Sequence, residues 1–207
     1  MSETSKKVVL VIADISGYTE YMLANQTALD HSQVVMTQLL ELILKRLEPP
    51  FEIAKLEGDA VFVYVEKDAQ GKWSTSKNDI KDQLVDLFGA FRQKLKSMSI
   101  CQACTCGACD NLDKLRLKIV AHSGEVAQHR IGPFVELTGL DVIVVHRLLK
   151  NSLTSNEYLL LTEPAYQDLD FGKTFSFLAT EQSYQALGSI KGYYQLGETF
   201  LKPVSKN

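Results

Sequence analysis

The segment that most constrains the fold is 55–64, KLEGDAVFVY, where a strand-forming run is interrupted at Gly58-Asp59. Gly-Asp is a common turn pair, and the flanking β-branched and aromatic residues favour extended chain, so the segment predicts a β-hairpin. Turn chemistry alone would explain the aspartate. The alternative is that the Asp59 carboxylate binds a metal ion, and the rest of the sequence decides between the two.

Strands and amphipathic helices alternate along the rest of the chain. Residues 6–15, KKVVLVIADI, predict a buried strand, followed by a short helix and a longer one. The longer helix is expected to begin at an N-cap, Asp30, and to include Val34 in its apolar stripe. Another helix is expected from about Ile80 to Met98. Residues 115–132, LRLKIVAHSGEVAQHRIG, predict a strand, a Ser-Gly turn and a second strand.

The C-terminal third predicts a helix, a strand and a hairpin. These are GLDVIVVHRLLKNSL, EYLLLT, and the pair SYQALGSI and GYYQLGETFL. A chain of 207 residues suits one domain, 1–207. The element order predicts an α+β sandwich, a mainly antiparallel sheet with helices packed on it.

Composition and charge exclude several functional classes. The net charge is −3, which gives no electrostatic basis for binding nucleic acid. No apolar run approaches the roughly 20 residues that a membrane span needs. The apolar N-terminal segment contains an acid and continues into polar sequence, unlike a signal peptide. We therefore expect a cytoplasmic protein.

Two aspartates form the first candidate site. Asp14 ends the first strand and Asp59 lies at the hairpin turn. Because consecutive strands often lie side by side, the two carboxylates are expected to meet at one sheet edge, where they would suit Mg²⁺ or Mn²⁺. Each residue alone has a plainer explanation, since Asp14 can cap the next helix and Asp59 can serve the turn.

Together, ADISGYTEYM and KLEGDAVFVY resemble the paired signature of class III adenylate/guanylate (nucleotidyl) cyclase catalytic domains. The resemblance covers about residues 8–201 and implies their ferredoxin-like sandwich. It also implies two metal ions held by Asp14, Asp59 and the backbone carbonyl of Ile15. More narrowly, with its cysteine cluster, the chain resembles an uncharacterised bacterial branch of cyclase-like proteins.

The resemblance also implies how a nucleotide would be recognised. Lys55 and Glu136 match the positions that read adenine, although adenylyl cyclases usually carry Asp at the second. A lysine donates to ring nitrogen N1 and a carboxylate accepts from the amino group, so the pair favours ATP. Alone, Lys55 would be interpreted as an exposed strand lysine.

The catalytic positions of the family are matched with one departure. Arg147 matches the arginine that stabilises charge on the α-phosphate, and Lys191 matches a phosphate-binding lysine; each could otherwise be a solvated surface charge. Ile143 stands where the family has the asparagine that orients the ribose, and it cannot form that hydrogen bond. His146 replaces a small residue, and we interpret it as a satisfied surface histidine rather than a contact in the site.

The implied activity is conversion of a nucleoside triphosphate into a 3′,5′-cyclic monophosphate and pyrophosphate by a head-to-tail homodimer. In the family, one subunit supplies the metal aspartates and the other supplies the residues for base, ribose and transition state. Two alternatives remain: a catalytically degenerate nucleotide-binding or regulatory module, and a zinc-stabilised interaction protein that binds no nucleotide.

A cysteine cluster forms the second candidate site. All four cysteines lie within 101–109, CQACTCGAC, with the spacing C-x2-C-x-C-x2-C. Four thiolates suit a structural Zn²⁺. A redox thiol pair, an iron–sulfur site and free cysteines are the alternatives. The predicted zinc ligands are Cys101, Cys104, Cys106 and Cys109.

Overall fold

The computed structural model describes residues 5–67, 73–99, 108–172 and 174–201. An eight-stranded sheet forms the centre, in the order β2-β3-β1-β4-β6-β8-β7, and β5 pairs with β4. The pairs are antiparallel except β4 with β6. The expected α+β fold with a mainly antiparallel sheet is confirmed. The elements are β1 Ser5–Ser16, α1 Tyr18–Ala24, α2 Leu29–Arg46, β2 Glu52–Glu57, β3 Ala60–Glu66, α3 Trp73–Ser99, β4 Arg116–Ile131, β5 Phe134–Thr138, α4 Leu140–Leu148, β6 Tyr158–Thr162, α5 Glu163–Leu169, β7 Leu178–Tyr184 and β8 Gly188–Leu196.

The central strands of the sheet are buried on both faces. Alternate residues of β1 enter two separate cores, because successive side chains of a strand point to opposite faces. On one face, α2, α3 and α5 supply the covering apolar side chains. On the other face, α4 covers the sheet through Val144, Val145 and Leu148. This explains why β1 is apolar without interruption from Val8 to Ala13.

The predicted Ser-Gly turn in residues 115–132 is wrong. β4 runs without a break through Ser123 and Gly124, which pair with Val9 and Val8 of β1. Gly124 is required for packing, since an added Cβ would lie 2.6 Å from the Cβ of Asp141 on α4 and still closer to its carboxylate. Gly124 is needed because α4 packs closely against β4 at this point, and in the sequence such a glycine looks like a turn residue.

Several element boundaries also differ from the prediction. α2 begins at Leu29, after Ala28, so Asp30 lies in its first turn instead of capping it, and Val34 is exposed. α3 begins at Trp73 instead of near Ile80. The closing hairpin turns after Tyr184, within the segment expected to be its first strand. The sequence reading also missed β5 and α5.

Candidate functional site

The two aspartates meet where β1 ends and β3 begins. Asp14 pairs with Ala60, and the backbone N–H of Ile15 donates to the Asp59 carbonyl over 3.0 Å. Gly58 has φ of 66°, the left-handed conformation that a two-residue hairpin turn favours. The turn therefore brings Asp59 beside the end of β1, as the sequence predicted.

Asp14 and Asp59 line one cavity of about 650 Å³. The β1–α1 turn forms another of its walls, where Gly17 has φ of 85° and approaches the Lys114 carbonyl so closely that a Cβ would lie 2.6 Å from that oxygen. A side chain at Gly17 would therefore push this wall away. The cavity is lined by Asp14, Ile15, Ser16, Gly17, Tyr18, Thr19, Glu20, Asp59, Lys114, Lys118 and Asn156.

The two carboxylates repel each other in this cavity. Burial raises the pKa of Asp59, and the negative charge of Asp14 raises it further. The backbone hydrogen bond to Asp59 and the charge of Lys118 act in the opposite direction. A bound cation would favour the ionised pair, so the donor chemistry fits a divalent metal ion.

Lys118 is a site residue that the sequence reading missed. It lies opposite Asp14 on β4, and its Nζ is 3.0 Å from the Asp14 Oδ2. The Lys118 side chain is 19% exposed and that of Asp14 is 14% exposed, so this ion pair lies largely away from water. A lysine within the apolar run LKIVA was the available signal, because a strand covered on both faces rarely holds an uncompensated charge.

The two residues expected to read the base also come together. The side chains of Lys55 on β2 and Glu136 on β5 are 53% and 39% exposed, and the Lys55 Nζ lies 3.9 Å from the Glu136 Oε1. A bulge between Ile53 and Lys55 shifts the register of β2 just before this lysine. Strands distant in sequence thus present a donor and an acceptor side by side.

Arg147 and Ile143 lie on α4 and line a different cavity, of about 430 Å³, with Val142, His146 and Lys150. The start of α4 is fixed by Asp141, which accepts from the Glu125 backbone N–H over 2.6 Å and contacts the His122 Nε2 at 2.9 Å. Lys191 is exposed on β8, opposite Glu181 of β7. The structure therefore separates Arg147 from the cavity of the aspartates.

Most of the cysteine cluster lies outside the described residues. Cys101, Cys104 and Cys106 are not described, so the zinc site stays a prediction. Cys109 is described, and its Sγ lies 3.9 Å from the His31 Nε2. In the described part of the chain, no three His, Cys, Asp or Glu side chains group closely enough to hold a metal ion.

This architecture is that of class III adenylyl and guanylyl cyclase catalytic domains. The structure superposes on the guanylyl cyclase Cya2 with a TM-score of 0.69 and 14% identity, over 99% of this chain and 100% of the other. It superposes on the adenylyl cyclase CyaB from P. aeruginosa with a TM-score of 0.61 and 17% identity, over 94% and 95% of the two chains. At these identities, the likeness establishes the fold.

The chain belongs to the family described as "Protein of unknown function (DUF2652)", whose model matches residues 36–158. It is 36% identical over 161 residues to the "Uncharacterized protein Rv2561/Rv2562" of Mycobacterium tuberculosis, an alignment that covers 77% of this chain and 72% of that protein. Among the described helices, none combines the length and the apolar character of a membrane span.

Proposed function

We propose that this protein is a metal-dependent nucleotidyl cyclase that converts a nucleoside triphosphate, with ATP favoured, into a 3′,5′-cyclic monophosphate and pyrophosphate. The observation that carries the proposal is the cavity that holds Asp14, Asp59 and Lys118 together. Carboxylates suit metal ions and an ammonium suits phosphate oxygens, so this set fits a metal-bound polyphosphate.

Asp14, Asp59 and the Ile15 carbonyl would hold Mg²⁺ or Mn²⁺. Their oxygen donors are hard ligands, and the raised pKa of Asp59 reflects a burial and repulsion that a cation would offset. When bound, such ions supply activation of the attacking 3′-hydroxyl and neutralisation of phosphate charge. Lys118 would exchange its contact with Asp14 for a phosphate oxygen.

The other matched residues would bind the nucleotide at its base and α-phosphate. Lys55 would donate to the adenine ring and Glu136 would accept from its amino group; the 3.9 Å between them is consistent with a shared base-reading edge. Arg147 would stabilise charge on the α-phosphate, because its guanidinium is always ionised and forked. Lys191 would add a second positively charged side chain beside the phosphates.

A head-to-tail homodimer would combine the two half-sites. Asp14 and Arg147 line different cavities of one chain. In a homodimer, the Asp14 cavity of each copy would be completed by the Arg147 cavity of the other copy. Apolar side chains are exposed on β2, the β4–β5 hairpin and α4, and this composition favours a protein–protein interface. They are Ile53, Leu56, Ile131, Phe134, Val135, Leu140 and Ile143.

One observation favours a second candidate, a nucleotide-binding module without turnover. Ile143 is 51% exposed and shares its cavity with Arg147, at the position where the family orients the ribose. An apolar side chain cannot supply that hydrogen bond. Such a module would bind a metal–nucleotide complex and release it unchanged.

The deciding experiment incubates the protein with Mn²⁺ and each of the four ribonucleoside triphosphates and detects cyclic monophosphates by mass spectrometry. We expect a cyclic product from ATP that is lost in Asp59→Ala. Asp86→Ala is the matched control, since Asp86 on α3 pairs with Arg46 on α2 and does not line the cavity of the aspartates. If a confirmed dimer binds nucleotide but forms no product, the binding module is correct.

A further inference from the structure

His146 and Glu57 form a contact between α4 and the end of β2. The His146 Nε2 lies 3.0 Å and 3.2 Å from the two carboxylate oxygens of Glu57. Its Nδ1 lies 2.7 Å from the Val142 carbonyl, one turn earlier in the helix. The imidazole ring also meets the Phe62 ring edge-on, with 5.0 Å between the centroids. The ring is therefore held on three sides.

Both ring nitrogens of His146 face acceptors. One nitrogen contacts the Val142 carbonyl of its own helix and the other contacts the Glu57 carboxylate of β2, so the ring links the two elements. A hydrogen bond to a carboxylate is stronger than one between two neutral groups. Both side chains are about one-third exposed, so the pair is partly shielded from water.

The two partners stand next to different functional residues. Glu57 precedes the Gly58-Asp59 turn, and His146 precedes Arg147. Glu57 pairs with Ala60 across the hairpin, so its position is coupled to the backbone that carries Asp59. At its other end, α4 is fixed to β4 by Asp141. Besides the apolar packing of α4, the Glu57–His146 pair is thus a second polar attachment of this helix, close to Arg147.

We propose that the Glu57–His146 pair is a positioning device that fixes Arg147 relative to the Asp59 turn of the same chain. This inference rests on the proposed function. In a head-to-tail homodimer, the Asp59 of one chain would serve one site and its Arg147 the other. The pair would therefore join the two active sites mechanically, and its loss would impair turnover more than substrate binding.

The kinetic test compares wild type with Glu57→Ala, His146→Ala and the double variant. We expect each single variant to lose about tenfold in kcat with little change in KM, since misplaced transition-state groups lower turnover. The double variant should lose no more than either single one, because the two residues act as a pair. Glu57→Gln keeps an acceptor oxygen and should recover most of the loss. Losses that multiply in the double variant would overturn the proposal.

The matched control is Glu52→Ala. Glu52 lies on the same strand and accepts a hydrogen bond from the Tyr64 hydroxyl over 2.5 Å, and within the described residues it forms no hydrogen bond to α4. Its removal should leave kcat and the exchange behaviour of α4 unchanged. A tenfold loss in this variant would mean that any disturbance of β2 slows the enzyme, and the specific role of Glu57 would fall.

Backbone hydrogen exchange separates this inference from the proposed function. Amide exchange over residues 143–149 should become severalfold faster in Glu57→Ala and in His146→Ala, while exchange in α2 stays at the wild-type rate. If wild type forms no cyclic product, the proposed function fails, and exchange alone decides whether the pair fixes α4. Unchanged exchange in both single variants would overturn the inference whether or not the wild type is active.

Discussion

Gly124→Ala should destabilise the protein strongly, although it adds only one methyl group. The new Cβ would lie 2.6 Å from the Cβ of Asp141 and closer still to its carboxylate. Rotation of the carboxylate cannot relieve a clash with the Asp141 Cβ, so the start of α4 must move away from β4. Arg147 would move with it.

The magnitude follows from the bonds that Asp141 makes. Its carboxylate accepts from the Glu125 N–H over 2.6 Å and contacts the His122 Nε2 at 2.9 Å. A hydrogen bond to a charged group contributes about 1.5–3 kcal/mol, so losing the equivalent of one to two such bonds lowers the free energy of unfolding by about 3 kcal/mol. For a chain of this size, that is about 6–12 °C in Tm.

Thermal and urea unfolding followed by circular dichroism would measure this effect. Gly89→Ala is the control, because Gly89 lies within α3 and a Cβ there would meet no atom within 4 Å. The free energy of unfolding of Gly89→Ala should instead rise by up to about 1 kcal/mol, because alanine has a higher helix propensity than glycine. If Gly124→Ala unfolds within about 0.5 kcal/mol of wild type, the size expected of an ordinary surface change, the packing argument is wrong.

Three further predictions concern the site. Burial raises the pKa of Asp59 above 3.8, so the metal-free folded state binds this proton more tightly than the unfolded chain and loses stability as the pH rises through the raised pKa. Asp59→Asn should therefore be more stable than wild type at pH 7, and unfolding curves should show this advantage shrinking as the pH falls through the raised pKa toward 3.8. Lys118→Met should lower the Tm of the metal-free protein, because Asp14 loses its partner at 3.0 Å. Mn²⁺ should then raise the Tm of this variant more than that of wild type, and an equal rise in both would argue against a shared cation site. Ile143→Asn should raise kcat about a hundredfold by supplying a polar group at the ribose, and an unchanged kcat in a folded dimer would refute the role assigned to that position.

Local patterns in the sequence predicted much of the site. The Gly58-Asp59 turn and the β-branched run before Asp14 each specify a short element, and antiparallel pairing of neighbouring strands then brings the two aspartates together. The Lys55–Glu136 contact was not visible in this way. It depends on β5, a short strand that the sequence reading did not identify.

The same limit explains the errors at Gly124 and Lys118. Neither residue is unusual for its own strand; their roles depend on what lies opposite, Asp141 on α4 for one and Asp14 on β1 for the other. Contacts between elements far apart in the chain leave only a weak trace in local sequence, such as one lysine in an apolar run.

The sequence by itself therefore determined the class of fold, the hairpin that carries Asp59 and the acidic end of β1, because turn chemistry and residue periodicity act over a few neighbouring residues. Only the tertiary structure decided that Lys118 lies beside Asp14, that α4 covers the second face of the sheet, and that Glu57 binds His146. Those relations join elements that are far apart in the chain; Asp14 and Lys118, for example, are 104 positions apart. Close packing of whole faces, not local preference, selects them.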